Sequence, residues 1–162
     1  KAKHLSYIIG ACLEKWNNEL AVNLSSAFYF IRRLAPKLAV RGWGRIINVS
    51  SGAARTGLPA QIGYAATKSA LWGVTSTTAA EFGAKGVTCN SILPGVIATP
   101  KVLSMPEHIK ESALKSNSVK RLGEVAEIAY LAAFLCSEQA GFITGAEIDI
   151  DGGYRLNNNS LT

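Results

Sequence analysis

The chain has few histidines and cysteines among its 162 residues, and this scarcity excludes several kinds of site. Two histidines, His4 and His108, are too few for a histidine-rich metal centre and poorly supply a Ser-His-Asp triad. The three cysteines, Cys12, Cys89 and Cys136, are odd in number and far apart, so they indicate neither a disulfide framework nor a metal site. Their neighbours are apolar, and we therefore expect buried thiols in a reducing, cytoplasmic compartment.

No hydrophobic run approaches the roughly 20 residues that a membrane-spanning helix needs. The basic start, Lys1–His4, precedes the short apolar stretch Leu5–Cys12, which is the order found in a secretory signal. No small-residue cleavage site follows, and Glu14 and Lys15 come at once. We therefore expect a soluble chain with no membrane partner.

Basic residues outnumber acidic ones and give a formal net charge of +6, but they are not clustered in one part of the chain. The basic residues occur singly or in pairs, such as Arg32–Arg33 and Lys120–Arg121, and no stripe of them is interleaved with aromatic residues. This pattern is typical of a solvated basic surface and does not favour a nucleic-acid partner. Attraction for a small anionic ligand such as a nucleotide is the weaker alternative.

The pattern of hydrophobic residues predicts a single α/β domain. The hydrophobic fraction is 48% and the charged fraction 17%, which suits a globular core. Helical periodicity alternates with short β-branched runs, and no internal repeat interrupts the order. The predicted elements are a helix over 13–40, a strand over 45–51, a helix over 64–84, a strand over 87–93, a short helix near 106–116, a helix over 124–137 and a strand over 146–150.

Strands joined by long helices are parallel, and such a sheet is covered by helices on both faces. The predicted fold is therefore a doubly wound parallel sheet of the Rossmann type, a three-layer sandwich. Ligands of such sheets bind beyond the carboxyl ends of the strands. We expect the functional loops to be those that follow Ser51, Leu93 and Ile150.

Polar residues with a chemical use gather near these loops. Tyr64 and Lys68 lie four positions apart at the start of a helix, so their side chains share one face. Taken alone, such a pair is most often an ordinary surface pair. Ser51 ends a strand thirteen positions earlier, and Asn23 lies within an otherwise apolar helix, where it either has a function or merely kinks the helix.

Around these residues the sequence resembles the short-chain dehydrogenase/reductase family, and the resemblance extends from about Trp16 to Tyr154. The resemblance implies a fold that binds NAD or NADP and interconverts alcohols and ketones. The motifs in register are Val22-Asn23-Leu24, Gly44–Ser51, Tyr64-Ala65-Ala66-Thr67-Lys68-Ser69-Ala70, Asn90–Thr99, and Gly145 followed by Asp151-Gly152-Gly153.

The resemblance also implies a role for each catalytic residue. Tyr64 would be the acid/base that exchanges a proton with the substrate oxygen, and Lys68 would favour its phenolate and bind the nicotinamide ribose. Ser51, which the family's register selects over Ser50, would hold the substrate oxygen by a hydrogen bond. Asn23 would help to hold a water that links Lys68 to solvent.

A second group of residues would bind the cofactor. Pro94, Gly95, Ile97 and Thr99 resemble the segment that receives the nicotinamide carboxamide, although a bare strand-ending turn has the same composition. The following segment, Pro100–Ser118, resembles the lid that closes over substrate. The site residues implied by the resemblance are thus Asn23, Ser51, Tyr64, Lys68, Pro94, Gly95, Ile97 and Thr99, with no metal.

Departures from the family pattern keep alternatives open. The related halohydrin dehalogenases carry Arg where Lys68 stands, so the lysine favours hydride transfer. The Gly-x-x-x-Gly-x-Gly turn of the family's nucleotide-binding half is absent, and Leu5–Ala11 would be a remnant of the fourth strand or a helix start. The sheet would then expose an unpaired edge. The chain is either part of a longer enzyme, a fragment, or a non-catalytic homologue that acts as an interaction protein.

The resemblance further implies a homodimer or homotetramer that acts on a small alcohol or ketone. Ala65, Ala66, Ala70 and Gly73 would allow close helix packing between subunits, or equally within one subunit.

Overall fold

In the computed structural model, the chain forms a parallel sheet with helices on both faces. The structure describes Ile8, residues 11–154 and Leu156. The interpretations of Leu5–Ala11 and of the tail after Tyr154 lie almost wholly outside these residues. The elements in chain order are α1 Leu13–Glu19, a π-helical segment Leu20–Ser25, α2 Ser26–Val40, β1 Gly44–Val49, α3 Ala53–Thr56, α4 Ile62–Phe82, a 3₁₀ turn Gly83–Lys85, β2 Val87–Pro94, α5 Pro100–Leu103, α6 Glu107–Ser116, α7 Val125–Cys136 and β3 Glu147–Ile150.

The first long helix of the prediction is continuous, but it changes its winding in the middle. Between α1 and α2, the Ser26 backbone amide donates to the carbonyl of Ala21, five residues earlier. Such π turns insert one extra residue into a helix and often occur at functional sites. Asn23 lies within this segment, so the irregular winding of the helix coincides with the asparagine.

The described sheet has the order β1-β2-β3, and both strand pairs are parallel. The predicted α/β class is confirmed. One face packs on α7, where Ile92, Leu135 and Ala140 are fully buried and Ile47 and Ile148 lie against them. β1 has a strand partner on only one side within the described part of the chain, which agrees with the expected open edge.

The opposite face of the sheet contacts α4 through a buried polar network. The Asn48 amide donates to the Thr75 hydroxyl at 2.8 Å, and that hydroxyl lies 2.8 Å from the hydroxyl of Ser91. All three side chains are buried, so each hydrogen bond offsets the cost of removing a polar group from water. These bonds join β1, β2 and α4 at one point.

The expectation that all three thiols are buried is wrong for two of them. Cys12 and Cys136 are exposed, because each lies at the end of a helix rather than inside the apolar stripe beside it. Cys89 is buried in β2, and burial raises the pKa of its thiol to about 11. None of the three forms a disulfide.

The loop and strand boundaries differ from the prediction by a few residues. The segment between β1 and α4 contains the one-turn helix α3, and α4 begins at Ile62 rather than Tyr64. β1 ends at Val49, so Ser50 and Ser51 follow the strand instead of closing it. A second short helix, α5, precedes the predicted one, because Thr99 caps a turn that starts at Pro100.

Candidate functional site

Lys68 is fixed between α4 and the carboxyl end of β1. Its ammonium Nζ donates to the Val49 carbonyl at 2.8 Å and lies 5.8 Å from the centroid of the Tyr64 ring. Burial lowers the pKa of the lysine, and the negative charge of Glu19 opposes that shift. An ammonium has three N–H donors, and the Val49 carbonyl uses one of them. The remaining donors are available to a ligand beside Tyr64.

Asn23 contacts α1 rather than Lys68 in this structure. Its side-chain amide donates to the carboxylate of Glu19, which lies one turn earlier in the same continuous helix. The π-helical segment that carries Asn23 packs against α4, the helix of Tyr64 and Lys68. Asn23 thus lies on a segment that packs against the helix of Tyr64 and Lys68, and its hydrogen-bond partner is Glu19.

The two serines that follow β1 have different surroundings. The Ser50 hydroxyl is buried and donates to the Lys68 backbone carbonyl at 2.8 Å, so it joins the strand end to α4. The Ser51 hydroxyl accepts a hydrogen bond from the Ala53 amide at 3.2 Å and keeps its own proton to donate. Ser51 borders an open cavity of about 140 Å³ together with Pro94, Gly95 and Tyr154, among others. Of the two hydroxyls, only that of Ser51 lines this cavity.

The loop after β2 is held by backbone contacts on both sides. The Pro94 carbonyl accepts from the Gly52 amide, and the Gly95 amide donates to the Ile150 carbonyl. A Cβ at Gly95 would lie 2.7 Å from the Cα of Asp151, which explains why glycine is needed here. The Ile97 carbonyl accepts from Thr99, whereas no hydrogen bond joins the Ile97 amide to another described residue.

The Thr99 hydroxyl accepts from the Val102 amide at 3.3 Å and so caps α5. The loops of Ser51 and of Pro94–Thr99 thus meet at one edge of the sheet, as predicted, while Tyr64 and Lys68 lie on the adjoining helix.

Comparison with known proteins shows to which family the chain belongs. A family model described as enoyl-(acyl carrier protein) reductase matches residues 5–155. The chain belongs to the short-chain dehydrogenase/reductase family. It is 43% identical to nodulation protein G of Azospirillum brasilense and 40% identical to the (3R)-3-hydroxyacyl-CoA dehydrogenase of Rattus norvegicus. Both alignments include 86% of this chain, but only 56% and 54% of the respective relatives.

Solved structures of the same family superpose closely. A 3-oxoacyl-[acyl-carrier protein] reductase from Brucella melitensis matches with a TM-score of 0.88 and 36% identity over 94% of this chain and 59% of its own. A second structure of such a reductase from the same organism, with bound NAD, matches with a TM-score of 0.84, 37% identity and 58% coverage of its own chain. The chain thus spans little more than half the length of the short-chain dehydrogenases that it matches.

A second cavity borders the loop that follows Pro94. It measures about 120 Å³ and is bordered by Ile97, Asn117 and Arg121, among others. Asn117 accepts from the Lys120 amide and donates to the Arg121 carbonyl, so it organises the turn that follows α6. No group of three or more His, Cys, Asp or Glu side chains that could hold a metal occurs among the described residues.

The segment between α6 and α7 is joined to α7 by an ion pair. Both guanidinium nitrogens of Arg121 contact the Glu127 carboxylate, at 2.6 and 2.8 Å. These bonds, and then a hydrogen bond from the Glu124 backbone amide, lower the pKa of Glu127 to about 2. Because the folded-state pKa is depressed, the stabilisation is present above the unfolded value near 4.5 and is lost as the pH falls towards 2.

We expect Arg121→Gln to move the pKa of Glu127 back up towards its usual value, since the main cause of the depression is removed. A carbon-detected NMR titration of the Glu127 carboxyl measures this directly. Lys120→Gln is the matched control, because its ammonium contacts the Lys115 carbonyl and not Glu127. An unchanged pKa of Glu127 in Arg121→Gln would contradict the assignment of the cause.

Sequence reasoning did not identify three participants in the site. Glu19 is a half-buried carboxylate beside Asn23, and the only sequence signal was its position one turn earlier on the same helix. The Val49 carbonyl binds Lys68 through a backbone atom, which leaves no mark in the sequence. Tyr154 borders the Ser51 cavity, and its position directly after Asp151-Gly152-Gly153 could have drawn attention to it.

No helix among the described residues is long and apolar enough to cross a membrane.

Proposed function

We propose that the protein containing this chain is an NAD(P)-dependent oxidoreductase that interconverts a secondary alcohol and a ketone. The observation that carries the proposal is the position of the Lys68 ammonium, held at the end of β1 and 5.8 Å from the Tyr64 ring. A half-buried cation next to a phenol favours the phenolate form that proton abstraction requires. Lysine rather than arginine at this position favours hydride transfer over halohydrin cleavage.

In the proposed reaction the residues of the chain handle the proton and hold the substrate. Ser51 donates a hydrogen bond to the substrate oxygen and fixes it where charge develops. Tyr64 gives a proton to that oxygen during reduction and removes it during oxidation. Lys68 supplies the positive charge that supports this exchange, and Asn23 extends the proton path towards solvent. A bound nicotinamide supplies the hydride acceptor or donor.

The described residues fit the nicotinamide end of such a cofactor. Lys68 retains donors suited to ribose hydroxyls, and the Ile97 amide is available as a donor to a carboxamide oxygen. Pro94 and Gly95 border the Ser51 cavity, and Thr99 caps the helix after the loop. We therefore propose that Tyr64, Lys68, Pro94, Gly95, Ile97 and Thr99 bind NAD or NADP.

The names of the relatives favour a 3-hydroxyacyl or 3-oxoacyl thioester as substrate. The matched proteins include a (3R)-3-hydroxyacyl-CoA dehydrogenase of Rattus norvegicus and an acetoacetyl-CoA reductase of Cupriavidus necator. A 3-oxoacyl thioester contains the ketone that Ser51 and Tyr64 would address. We further propose a cytoplasmic location, since all three cysteines are unpaired, as is usual in a reducing compartment.

The test is a reductase assay of the full-length gene product. Acetoacetyl-CoA is supplied with NADH or NADPH, and oxidation of the nicotinamide is followed by absorbance. We expect saturable turnover with a preference for one cofactor, because the chain carries all four residues of the proposed proton path. Saturable cofactor binding without turnover on any of a series of 3-oxoacyl thioesters and simple ketones would contradict the proposal.

A second function, that of an interaction protein, is favoured by the exposed apolar surface of α2. Phe28, Tyr29, Phe30 and Leu34 are all at least 46% exposed, and β1 offers an open edge within the described sheet. Such surfaces favour association, and a homodimer or homotetramer would cover part of them. A titration of the gene product with NADH and with NADPH, followed by nicotinamide fluorescence, separates the two functions, since a folded gene product that binds neither cofactor would act through association alone.

A further inference from the structure

A carboxylate lies within the proposed proton path at a position that none of the motifs includes. Glu19 ends α1, directly before the π-helical segment, and its side chain is half-buried. Its carboxylate accepts a hydrogen bond from the Asn23 amide. The carboxylate therefore fixes the orientation of the one asparagine that the proposed function uses.

The backbone of α4 leaves room for this carboxylate. Gly63, the residue before Tyr64, is buried, and a Cβ at that position would lie 3.3 Å from both the Cβ and the Cγ of Glu19. Glu19 and Tyr64 also border the same water-sized cavity of about 20 Å³. A cavity of that size is large enough for a single water molecule, and the Glu19 carboxylate would be one of its polar partners. Glu19 thus packs against the first turn of the helix that carries Tyr64 and Lys68.

The charge of Glu19 acts on Lys68. Burial disfavours the ammonium form of Lys68, and Glu19 is the group whose negative charge opposes this effect. This charge–charge interaction is stronger than it would be in water, because both side chains are partly removed from solvent. Without a nearby anion, the lysine would more readily lose the proton that makes it useful to Tyr64.

Other charged groups around α4 do not replace this carboxylate. The π-helical segment and β2 contain no Asp, Glu, Lys or Arg. Arg55 on α3 is engaged by Glu147 and Asp149 of β3. Glu14 is the only carboxylate among the remaining charged side chains on the elements beside α4. These side chains are Glu14 and Lys15 on α1, Arg32, Arg33 and Lys37 on α2, Arg45 on β1 and Lys85 in the 3₁₀ turn.

We propose that Glu19 is a positioning residue of this site, whose carboxylate orients Asn23 and places a negative charge against the first turn of the helix that carries Tyr64 and Lys68. The role rests on the proposed function, in which Lys68 supports proton exchange by Tyr64. In this role Glu19 contacts side chains of the site rather than the reacting groups. It acts through Asn23 and Lys68 and would remain detectable in the protein without ligand.

The test measures the protonation of Lys68 itself. The full-length gene product is labelled with trace acetic anhydride over a range of pH, and the acetylation of each lysine is read by peptide mass spectrometry. Only the neutral amine reacts, so at a pH below its pKa the labelling rate of Lys68 reports the neutral fraction. We expect Glu19→Gln to raise this rate at least about threefold, because it removes the charge and keeps an oxygen to accept from Asn23.

Two further variants serve as controls for the position and for the charge of the carboxylate. Glu14→Gln removes the same charge from an exposed position on α1, and we expect the Lys68 rate to remain at the wild-type value. Glu19→Asp keeps the charge on a shorter side chain, and we expect it to restore most of the wild-type rate. A Lys68 rate in Glu19→Gln equal to that in Glu14→Gln would overturn the proposal, and so would a Glu19→Asp rate as high as that of Glu19→Gln.

The labelling result is independent of turnover. If the gene product reduces ketones while Glu19→Gln leaves the acetylation rate of Lys68 unchanged, the inference fails and the proposed function stands. If labelling responds to Glu19 while no ketone is reduced, the charge coupling holds and the proposed function fails. In an active enzyme, the fall of alcohol oxidation at alkaline pH should begin at a lower pH in Glu19→Gln, whereas a pH profile equal to that of Glu14→Gln would contradict the inference.

Discussion

Tyr64→Phe is expected to abolish ketone reduction by the full-length gene product while leaving cofactor affinity nearly unchanged. The substitution removes one hydroxyl and keeps the ring that lies beside the Lys68 ammonium. Proton transfer by a positioned side chain contributes about 10²- to 10⁴-fold to a rate, and the loss should be at least of this size. Steady-state assays with acetoacetyl-CoA measure the rate, and nicotinamide fluorescence measures the binding.

Tyr130→Phe is the matched control for this experiment. Tyr130 lies on α7, its side chain is 73% exposed, and it borders none of the cavities described above. Removing its hydroxyl should leave turnover unchanged. Retention of wild-type turnover by Tyr64→Phe would refute the assignment of the acid/base, whereas equal losses in both variants would point to a general effect of losing a phenol.

Gly86→Ala is expected to cause the largest loss of stability among single-methyl changes. Gly86 has a φ of +74°, a left-handed conformation that alanine adopts only with strain. A Cβ there would lie 2.0 Å from the carbonyl oxygen of Gly42, a backbone atom that cannot rotate away. The Gly86 carbonyl also accepts from the Gly44 amide at the start of β1. We expect the free energy of unfolding to fall by about 2–5 kcal/mol.

Urea denaturation of the gene product measures this loss, with Gly73→Ala as the control. Gly73 lies inside α4, and a Cβ there meets no atom within 4 Å. Alanine is the better helix former, so this change should leave stability unchanged or raise it by about 0.5–1 kcal/mol. If Gly86→Ala unfolds at the same urea concentration as Gly73→Ala, the close approach of the two turns is not a constraint on the fold.

Much of the fold follows from local pattern. The sequence predicts both ends of β1 and β2 to within two residues, because a short β-branched run bounded by glycines is too short for a helix and favours a buried strand. The helix of Tyr64 and Lys68 was predicted as well, and their four-residue spacing alone puts both on one face. The parallel arrangement followed from the long helical connections, since these exclude hairpins.

Other features depend on contacts that the sequence does not display. The π turn around Asn23 adds one residue to a helix without breaking its hydrophobic periodicity, so the pattern predicts an uninterrupted helix. The exposure of Cys12 and Cys136 depends on where two helices end, and helix ends are the least certain part of any such prediction. The approach of Glu19 to α4 depends on packing against Gly63, which only the assembled helices determine.

The network of Asn48, Thr75 and Ser91 has a consequence for the distant end of α4. Thr75 follows Tyr64 by eleven residues, which is about three helical turns or roughly 16 Å along the axis, so the two lie on nearly the same side of the helix. A rotation or sliding of α4 would leave these buried polar groups without partners. The sheet thereby fixes both the rotation of α4 about its axis and its position along that axis. The distance between the Tyr64 and Ser51 hydroxyls therefore depends on the buried Asn48–Thr75–Ser91 network.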